Sequence, residues 1–458
     1  EKHDVIVLEA PAGSGKSLIG LGLLRSLKAR GVILTATKSL QDQYLQVDKR
    51  LKKVVGRGNF DCVLPSWTLE DMGYRSTPKV SEAPCVGGYQ CPIKSECPYF
   101  IQLAQAAEEP VTVHNYSYWL NITALPENDL FTENDWVIAD EGHLLDDQLT
   151  SSWAITPQDA FMALVNKSVA EVAKEIVTGK ARGLAQKALL NKTMAELNLA
   201  LERFNKVPNK WVPTGAALVP ILPPPLETTL IGSKKGNKLL VMSATILDID
   251  LWSRLHGIQD PYYMKMPWTF PKERRPIYYR PVGKVVSATY NQLAKPLAQA
   301  IEYIIDTHPG ERGLIHTPSY QLSESVYGHL ARPDMVIAHS QRNRSQMLTR
   351  FKSALDRCWL MSPAIQHGED FPYEVARCQI ILRVPMRNPR DPLVLARKQV
   401  LPQWYVYDMF QRLWQMCGRV VRTPTDYGET FILDENFAIL TKEYPQLVPA
   451  EIEEAIKW

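Results

Sequence analysis

The stretch Ala10–Ser17 reads A-P-A-G-S-G-K-S and fits the pattern A-x-x-x-x-G-K-[ST]. Gly13 and Gly15 allow a tight turn in which backbone N–H groups, including those of Ala12 and Ser14, point at phosphate oxygens. Lys16 is a mobile point charge suited to β- and γ-phosphates, and the Ser17 hydroxyl is a ligand for Mg²⁺. Further along, Val137–His143 reads V-I-A-D-E-G-H. Its two adjacent carboxylates suit two tasks that both need anionic oxygen. Asp140 would hold Mg²⁺ and Glu141 would polarise an attacking water. Alone, such a pair is as easily the charged start of a helix; beside a phosphate loop it reads as a catalytic pair. A third constellation is sulfur: Cys62, Cys85, Cys91 and Cys97 are spaced C-x22-C-x5-C-x5-C. Four thiolates satisfy either a zinc ion or an iron–sulfur cluster, and the spacing leaves both open. Cys358, Cys378 and Cys417 lie in strand or helix patterns and read as core residues.

The elements that must carry these groups are legible. Val5–Leu8 is a short apolar run before the phosphate loop, Leu18–Arg30 has helical spacing after it, and Gly31–Thr35 is a second strand pattern. Strand–loop–helix–strand opens a parallel α/β sheet. Val111–His114, Trp136–Ala139 and Leu239–Met242 extend it. From Pro276 onward a second α/β block follows. Its strands are predicted at Gly313–His316, Met335–Ala338, Arg357–Met361 and Gln379–Val384, and its helices at Tyr290–Thr307, Tyr320–Ala331, Arg344–Leu355 and Trp404–Val420. Residues 53–110 break the rhythm with cysteines and prolines. Residues 150–205 carry Ala185, Leu189, Met194, Leu197 and Leu201 at helical spacing. Both read as insertions, and 206–236 is a proline-rich connection.

Composition bounds the answer from outside. The chain has 458 residues, 45% hydrophobic and 22% charged, which is ordinary for a globular chain of several domains and excludes disorder. No apolar run is long enough for a transmembrane helix, and no signal-peptide pattern is visible, so a cytoplasmic, reducing location without a membrane partner is expected. A net charge of +3 neither marks nor excludes a nucleic-acid partner; that question falls to local sites.

Taken in order, the motifs resemble those of superfamily 2 helicases of the iron–sulfur XPD/DinG family, on its DinG-like branch. Glu9–Ser17 resembles the family's E-A-P-T-G-[ST]-G-K-[ST], with Ala12 in place of Thr. Asp140–His143 resembles D-E-A-H, with Gly142 in place of Ala. Ser243, Ala244 and Thr245 match S-A-T. Gly368, Asp370, Phe371 and Pro372 match E-G-x-D-[FL]-P, with His367 in place of Glu. Pro385–Pro392 is similar to L-P-x-x-N-P-x-D-P, and Gln415, Gly418, Arg419 and Arg422 match Q-x-x-G-R-x-x-R. The resemblance implies two RecA-like motor domains, with an iron–sulfur insertion and a helical arch-like insertion in the first. The implied divisions are 1–58, 111–149 and 206–275 for the first motor and its linker, 59–110 for the cluster, 150–205 for the arch and 276–458 for the second motor. It implies ATP and Mg²⁺ held by Lys16, Ser17, Asp140 and Asp370 beside Glu141, with Arg419 and Arg422 acting on the γ-phosphate from the other domain and Gln415 contacting the nucleotide or the hydrolytic water. It also favours a [4Fe–4S] cluster on Cys62, Cys85, Cys91 and Cys97, followed by the family's C-P-Y at Cys97–Tyr99. The implied activity is ATP-driven 5′→3′ movement on single-stranded DNA, with unwinding of forked or tailed duplexes, by a monomer; RNA is left open. Strand contacts are expected at Thr35, Thr37, Asn115, Tyr116, Thr317, Ser319 and Tyr320, with Lys49, Arg50, Lys52, Lys53 and Arg57 near the phosphates. Family members contact adenine through a segment upstream of the phosphate loop. Only eight residues precede Glu9, so that contact is expected to be absent, supplied elsewhere, or carried on chain preceding residue 1. Two other readings compete: an ATP-driven remodeller of protein–DNA complexes, motivated by the short arch, and a cluster-bearing DNA-binding module without hydrolysis.

Overall fold

The structure is a computed structural model that describes every residue except 1–2, 125–129, 132–133, 156–210, 215–216, 233–234, 269, 355–356, 364–370, 372–374, 422 and 424. All of the arch-like insertion beyond residue 155, Asp370 with its neighbours His367, Gly368 and Pro372, and Arg422 therefore lie outside the described residues.

Two seven-stranded sheets organise the chain. The first holds β1 (Val5–Glu9), β2 (Gly31–Thr35), β3 (Lys52–Val54), β4 (Val111–Asn115) and β5 (Trp136–Asp140). A separate antiparallel hairpin follows, β6 (Trp211–Thr214) and β7 (Ala217–Pro220), before β8 (Lys238–Ser243) and β9 (Tyr262–Lys265) complete the first sheet. The second sheet holds β10 (Ile277–Gly283), β11 (Gly313–His316), β12 (Val336–Ala338), β13 (Trp359–Ser362), β14 (Cys378–Ile381), β15 (Glu429–Asp434) and β16 (Ile456–Lys457). The strand orders are β3-β4-β2-β5-β8-β1-β9 and β12-β13-β11-β14-β15-β10-β16. Ranked from first to seventh within its own sheet, each reads 3-4-2-5-6-1-7, and every neighbouring pair is parallel. The chain thus folds one topology twice. Parallel strands are covered on both faces, which is why V-I-V-L, V-I-L and L-L-V-M are unbroken apolar runs rather than alternating ones.

The sequence misplaces some boundaries for physical reasons. Lys52–Val54 pairs with β4 at the sheet edge, so the insertion read from residue 53 starts inside a strand. Two lysines hide it, because an edge strand here buries only Val54. The Tyr320 helix stops at Tyr327 ahead of Gly328 rather than reaching Ala331, and the Trp404 helix stops at Cys417 before Gly418. Strand β14 begins at Cys378 and ends at Ile381, short of the predicted Val384. The helix Ile249–His256, capped by Asp248 and ended by Gly257, joins the two halves. Trp252 packs into the first core, while Leu251 and Leu255 pack with Trp404, Phe410 and Trp414 in the second.

Candidate active site

Strand β1 delivers the phosphate loop. Gly13 and Gly15 have φ of 74° and 81°, a left-handed region that a side chain would strain, and the helix Lys16–Leu27 starts directly after them. Lys16 Nζ donates to the carbonyls of Ala10 (3.1 Å) and Pro11 (3.0 Å), so the cation lies over its own loop. Strand β5, two strands away, delivers Asp140, which is buried. Burial and the Glu141 carboxylate push Asp140 up to about 6, against the opposing pull of Lys16 and of the Tyr44 hydroxyl. Tyr44 donates to Asp140 Oδ2 at 2.8 Å; burial and Asp140 raise the tyrosine's pKa, and Ser17 is near enough to lower it. Lys16 and Asp140 are therefore brought together, with Ser17 close by Tyr44. Glu141 has φ of 55°, which is uncommon for a non-glycine residue, and its N–H donates to Asp140 Oδ1 (3.0 Å). Gly142 is explained by packing: a Cβ there would sit 2.3 Å from Val241 Cγ1.

The other wall comes from the Trp404–Cys417 helix of the second half. Gln415 Nε2 donates to Thr245 Oγ1 at 2.9 Å and lies 3.1 Å from His143 Nδ1. The same His143 nitrogen is 3.3 Å from Ser243 Oγ and 3.3 Å from Glu141 Oε2. Burial, with Arg419, Lys16 and Arg412 nearby, pushes His143 down to about 3, so it is uncharged at neutral pH. A Cβ on Gly418 would be 3.7 Å from Ala12 Cβ, which places the Gly418–Arg419 backbone against the phosphate loop. Arg419 is buried and its charge is felt by His143 on one side and His316, at the end of β11, on the other. Lys16, Asp140, Glu141, Gln415 and Arg419 thus share one cleft.

Several residues that build this cleft escaped the sequence. Glu9 is buried, and its Oε2 accepts the N–H of Ile246 (3.1 Å), the N–H of Leu247 (2.9 Å) and the Tyr263 hydroxyl (2.9 Å). From the opposite side, Gln411 donates to Thr245 O (2.9 Å) and Tyr407 to Ile246 O (2.7 Å). The S-A-T loop is therefore gripped by both halves. Below it, Arg397 bonds both oxygens of Asp146 (2.7 and 2.8 Å), and Trp404 Nε1 donates to the same carboxylate (3.0 Å). Arg387 and Arg412 each bridge Asp147 to Asp408. The L-L-D-D run after the acidic motif was a usable signal, since a carboxylate buried as Asp146 is requires partners, and half-buried Asp147 beside it takes two arginines.

Comparison with known proteins agrees with this geometry. Residues 301–455 match the helicase C-terminal domain. The curated "ATP-dependent DNA helicase YoaA" of Escherichia coli (strain K12) is 21% identical, over 96% of this chain and 89% of that protein. A solved structure titled "XPD_Helicase" superposes with a TM-score of 0.64 at 14% identity, covering 97% of this chain and 95% of the other. Another, "Structure of S. tokodaii Xpd4", gives 0.57 at 16%, covering 99% and 95%. The chain therefore carries a helicase C-terminal domain in its second half, and its overall fold resembles that of the XPD structures. At these identities the solved structures speak for the fold, and the side-chain roles rest on the distances above.

The remaining XPD/DinG-like features divide. Cys62, Cys85, Cys91 and Cys97 all line one cavity, with Leu64, Val80, Lys94 and Phe100. Burial raises the Cys85 thiol, Arg57 lowers it, and Cys62, Cys91 and Cys97 raise it again, so Cys85 lies within electrostatic reach of the other three. Among the described residues no three His, Cys, Asp or Glu side chains meet closely enough to hold a single metal ion. Cys358 and Cys378 are buried and Cys417 is half-buried, as core cysteines should be. Along the strand ends, Thr37, Asn115 and Ser319 spend their side chains as helix caps, accepting the N–H of Leu40, Tyr118 and Leu322. Tyr116 is buried and donates to Asp140 O (2.7 Å), so it is no base-stacking platform. Thr35 and Thr317 are likewise buried. Tyr320 stands edge-on to His339. Arg50 pairs with Asp48, Lys53 with Asp42, and Arg57 lies over Tyr99. Among the described residues no helix is long and apolar enough to cross a membrane.

Proposed function

We propose that the protein is an ATP-dependent DNA helicase that hydrolyses ATP between its two RecA-like halves. The observation that carries this is the Gln415 side chain, bonded to Thr245 of the first half, with the Gly418 backbone against Ala12 of the phosphate loop. Two parallel-sheet units meeting on a phosphate loop form a site that only closure completes. Backbone N–H groups of Ala12–Ser17 and the Lys16 ammonium bind the phosphates; Ser17 and Asp140 would hold Mg²⁺, which would supply charge neutralisation for the phosphates. Glu141 takes a proton from the attacking water. The water oxygen bonds to the γ-phosphorus as the bond to the β–γ bridging oxygen breaks, leaving ADP and phosphate. Arg419, with Arg422 and Asp370, supplies the second half's share of the site, and Arg419 stabilises charge on the transferring phosphoryl group. Loss of the γ-phosphate removes the arginine's target and frees the cleft to open. Opening and closing, with alternating grips on a strand across the capped helix starts near Thr37, Asn115 and Ser319, gives 5′→3′ movement on single-stranded DNA.

Cys62, Cys85, Cys91 and Cys97 hold a [4Fe–4S] cluster in this reading. The support is one apolar cavity lined by all four thiols, with Arg57 and Lys94 near enough to balance thiolate charge. Such a cluster staples a small insertion that has little core of its own. Residues 59–110 then form the cluster domain, 150–205 the arch and 276–458 the second motor. The test is strand displacement on a tailed duplex by anaerobically purified protein. ATP-dependent unwinding supports the reading, and hydrolysis that displaces bound protein but no strand would replace it with the remodeller.

A further inference from the structure

We propose that Tyr44 and Tyr116 form a two-hydroxyl clamp on Asp140 through which strand binding sets the position of the Mg²⁺-holding carboxylate. The inference rests on the helicase reading above. Both hydroxyls end on one residue: Tyr44 donates to Asp140 Oδ2 at 2.8 Å, and Tyr116 to Asp140 O at 2.7 Å. Both side chains are almost fully buried, so no water competes for these bonds.

Each tyrosine is carried by a helix that starts at a strand end facing the proposed nucleic-acid track. The helix Lys38–Val47 follows β2 and is capped by Thr37; the helix Tyr116–Ile122 follows β4 and is capped by Asn115. Strands β4, β2 and β5 are adjacent, so the two tyrosines reach Asp140 from neighbouring edges of the same sheet. The 38–47 helix is not free to slide. Gln41 is buried and donates to Val54 O (3.2 Å) and Val113 O (3.1 Å), tying it to β3 and β4. Seven residues separate Thr37 from Tyr44, which is about 10 Å along a helix. A tilt imposed at the cap is therefore delivered at Asp140 by a rigid lever. These are positioning residues: neither touches nucleotide or strand.

Spatial continuity is not coupling, and the measurable quantity is a coupling factor. Affinity of the full chain for a Mg²⁺-bound, non-hydrolysable ATP analogue is measured with and without a single-stranded oligonucleotide, and affinity for the oligonucleotide with and without the analogue. Wild type is expected to show the same factor in both directions, between about 5 and 150. Tyr44→Phe and Tyr116→Phe keep the rings and remove only the hydroxyls. Each is expected to bring the factor below about 2 while the separate affinity for the strand stays within about twofold. Tyr118→Phe, whose hydroxyl meets Tyr99 instead, keeps the factor. A wild-type factor above 5 that survives in both tyrosine variants overturns the inference alone, as does equal loss in Tyr118→Phe. A wild-type factor of 1 contradicts the helicase reading with it.

Discussion

The junction between the two halves should fail in a particular way when Asp146 is truncated. Arg397 is fully buried, yet it takes both Asp146 oxygens, Thr150 Oγ1 (3.1 Å) and the carbonyl of Ile221 as acceptors. Asp146→Ala removes two of these and also orphans the indole N–H of Trp404. Breaking one partner of a buried pair costs about 3 to 5 kcal/mol, because a buried charge is left uncompensated. An unsatisfied buried N–H adds about 1 to 3 kcal/mol, with incomplete additivity between neighbours. A loss of about 4 to 6 kcal/mol is therefore expected from one side chain that touches no substrate. The companion is Asp146→Leu with Arg397→Met, which removes both charges and refills the space. Apolar replacement of a whole pair is often neutral, so this double variant should recover more than half of the loss. Urea unfolding followed by tryptophan fluorescence reads the effect, because Trp404 lies in the affected junction. An Asp146→Ala variant within about 1 kcal/mol of wild type would refute the argument, as would a double variant no better than the single one.

Three further outcomes follow from the same contacts. Gly142→Ala should destabilise by about 1 to 3 kcal/mol through its overlap with Val241, and Val241→Ala made with it should return part of the loss in thermal unfolding. Cys97→Ser should lower iron and labile sulfide in anaerobically purified protein and make residues 59–110 the first segment cut by limited proteolysis. Acid should weaken the junction: burial alone would raise Asp147 and Asp408, but Arg387 and Arg412 outweigh it and hold both carboxyls below their ordinary range. Their contribution is fully present above the unfolded value of about 4 and is lost as pH falls through the lower folded values. Asp147→Asn with Asp408→Asn should flatten the acid limb of the unfolding midpoint.

The sequence carried the motors further than the junction. Burial on both faces makes parallel strands apolar throughout, so β1, β2, β5, β8 and β11 were found almost to the residue. In the first sheet both edge strands were missed because little of them is buried: β3 shows lysines, and Tyr262 and Met264 in β9 are exposed; in the second, the edge strand β12 was found, while the interior strands β10 and β15 were not. The phosphate loop and Asp140–Glu141 are local patterns set by backbone geometry, so each is legible on its own, and the fold sets them near each other through β1 and β5. Tyr44, Tyr116, Glu9 and Asp146 act across long separations in sequence, and nothing next to them in the chain marks their partners. Tyr116 shows the hazard most clearly. A tyrosine at a strand end reads as a stacking platform, yet its ring turns inward because Asp140 O offers its hydroxyl a buried acceptor.

The central claim is that one cleft, built by both halves around Lys16, hydrolyses ATP in response to DNA. The most direct measurement is phosphate release by purified protein with its iron content intact, with and without single-stranded DNA, for wild type and Lys16→Ala. Hydrolysis should rise with DNA and fall at least about 100-fold in the variant, since a charge placed to meet the transferring phosphoryl group is lost. Wild-type protein that releases no phosphate with DNA present, or a Lys16→Ala variant that hydrolyses as fast as wild type, would contradict it.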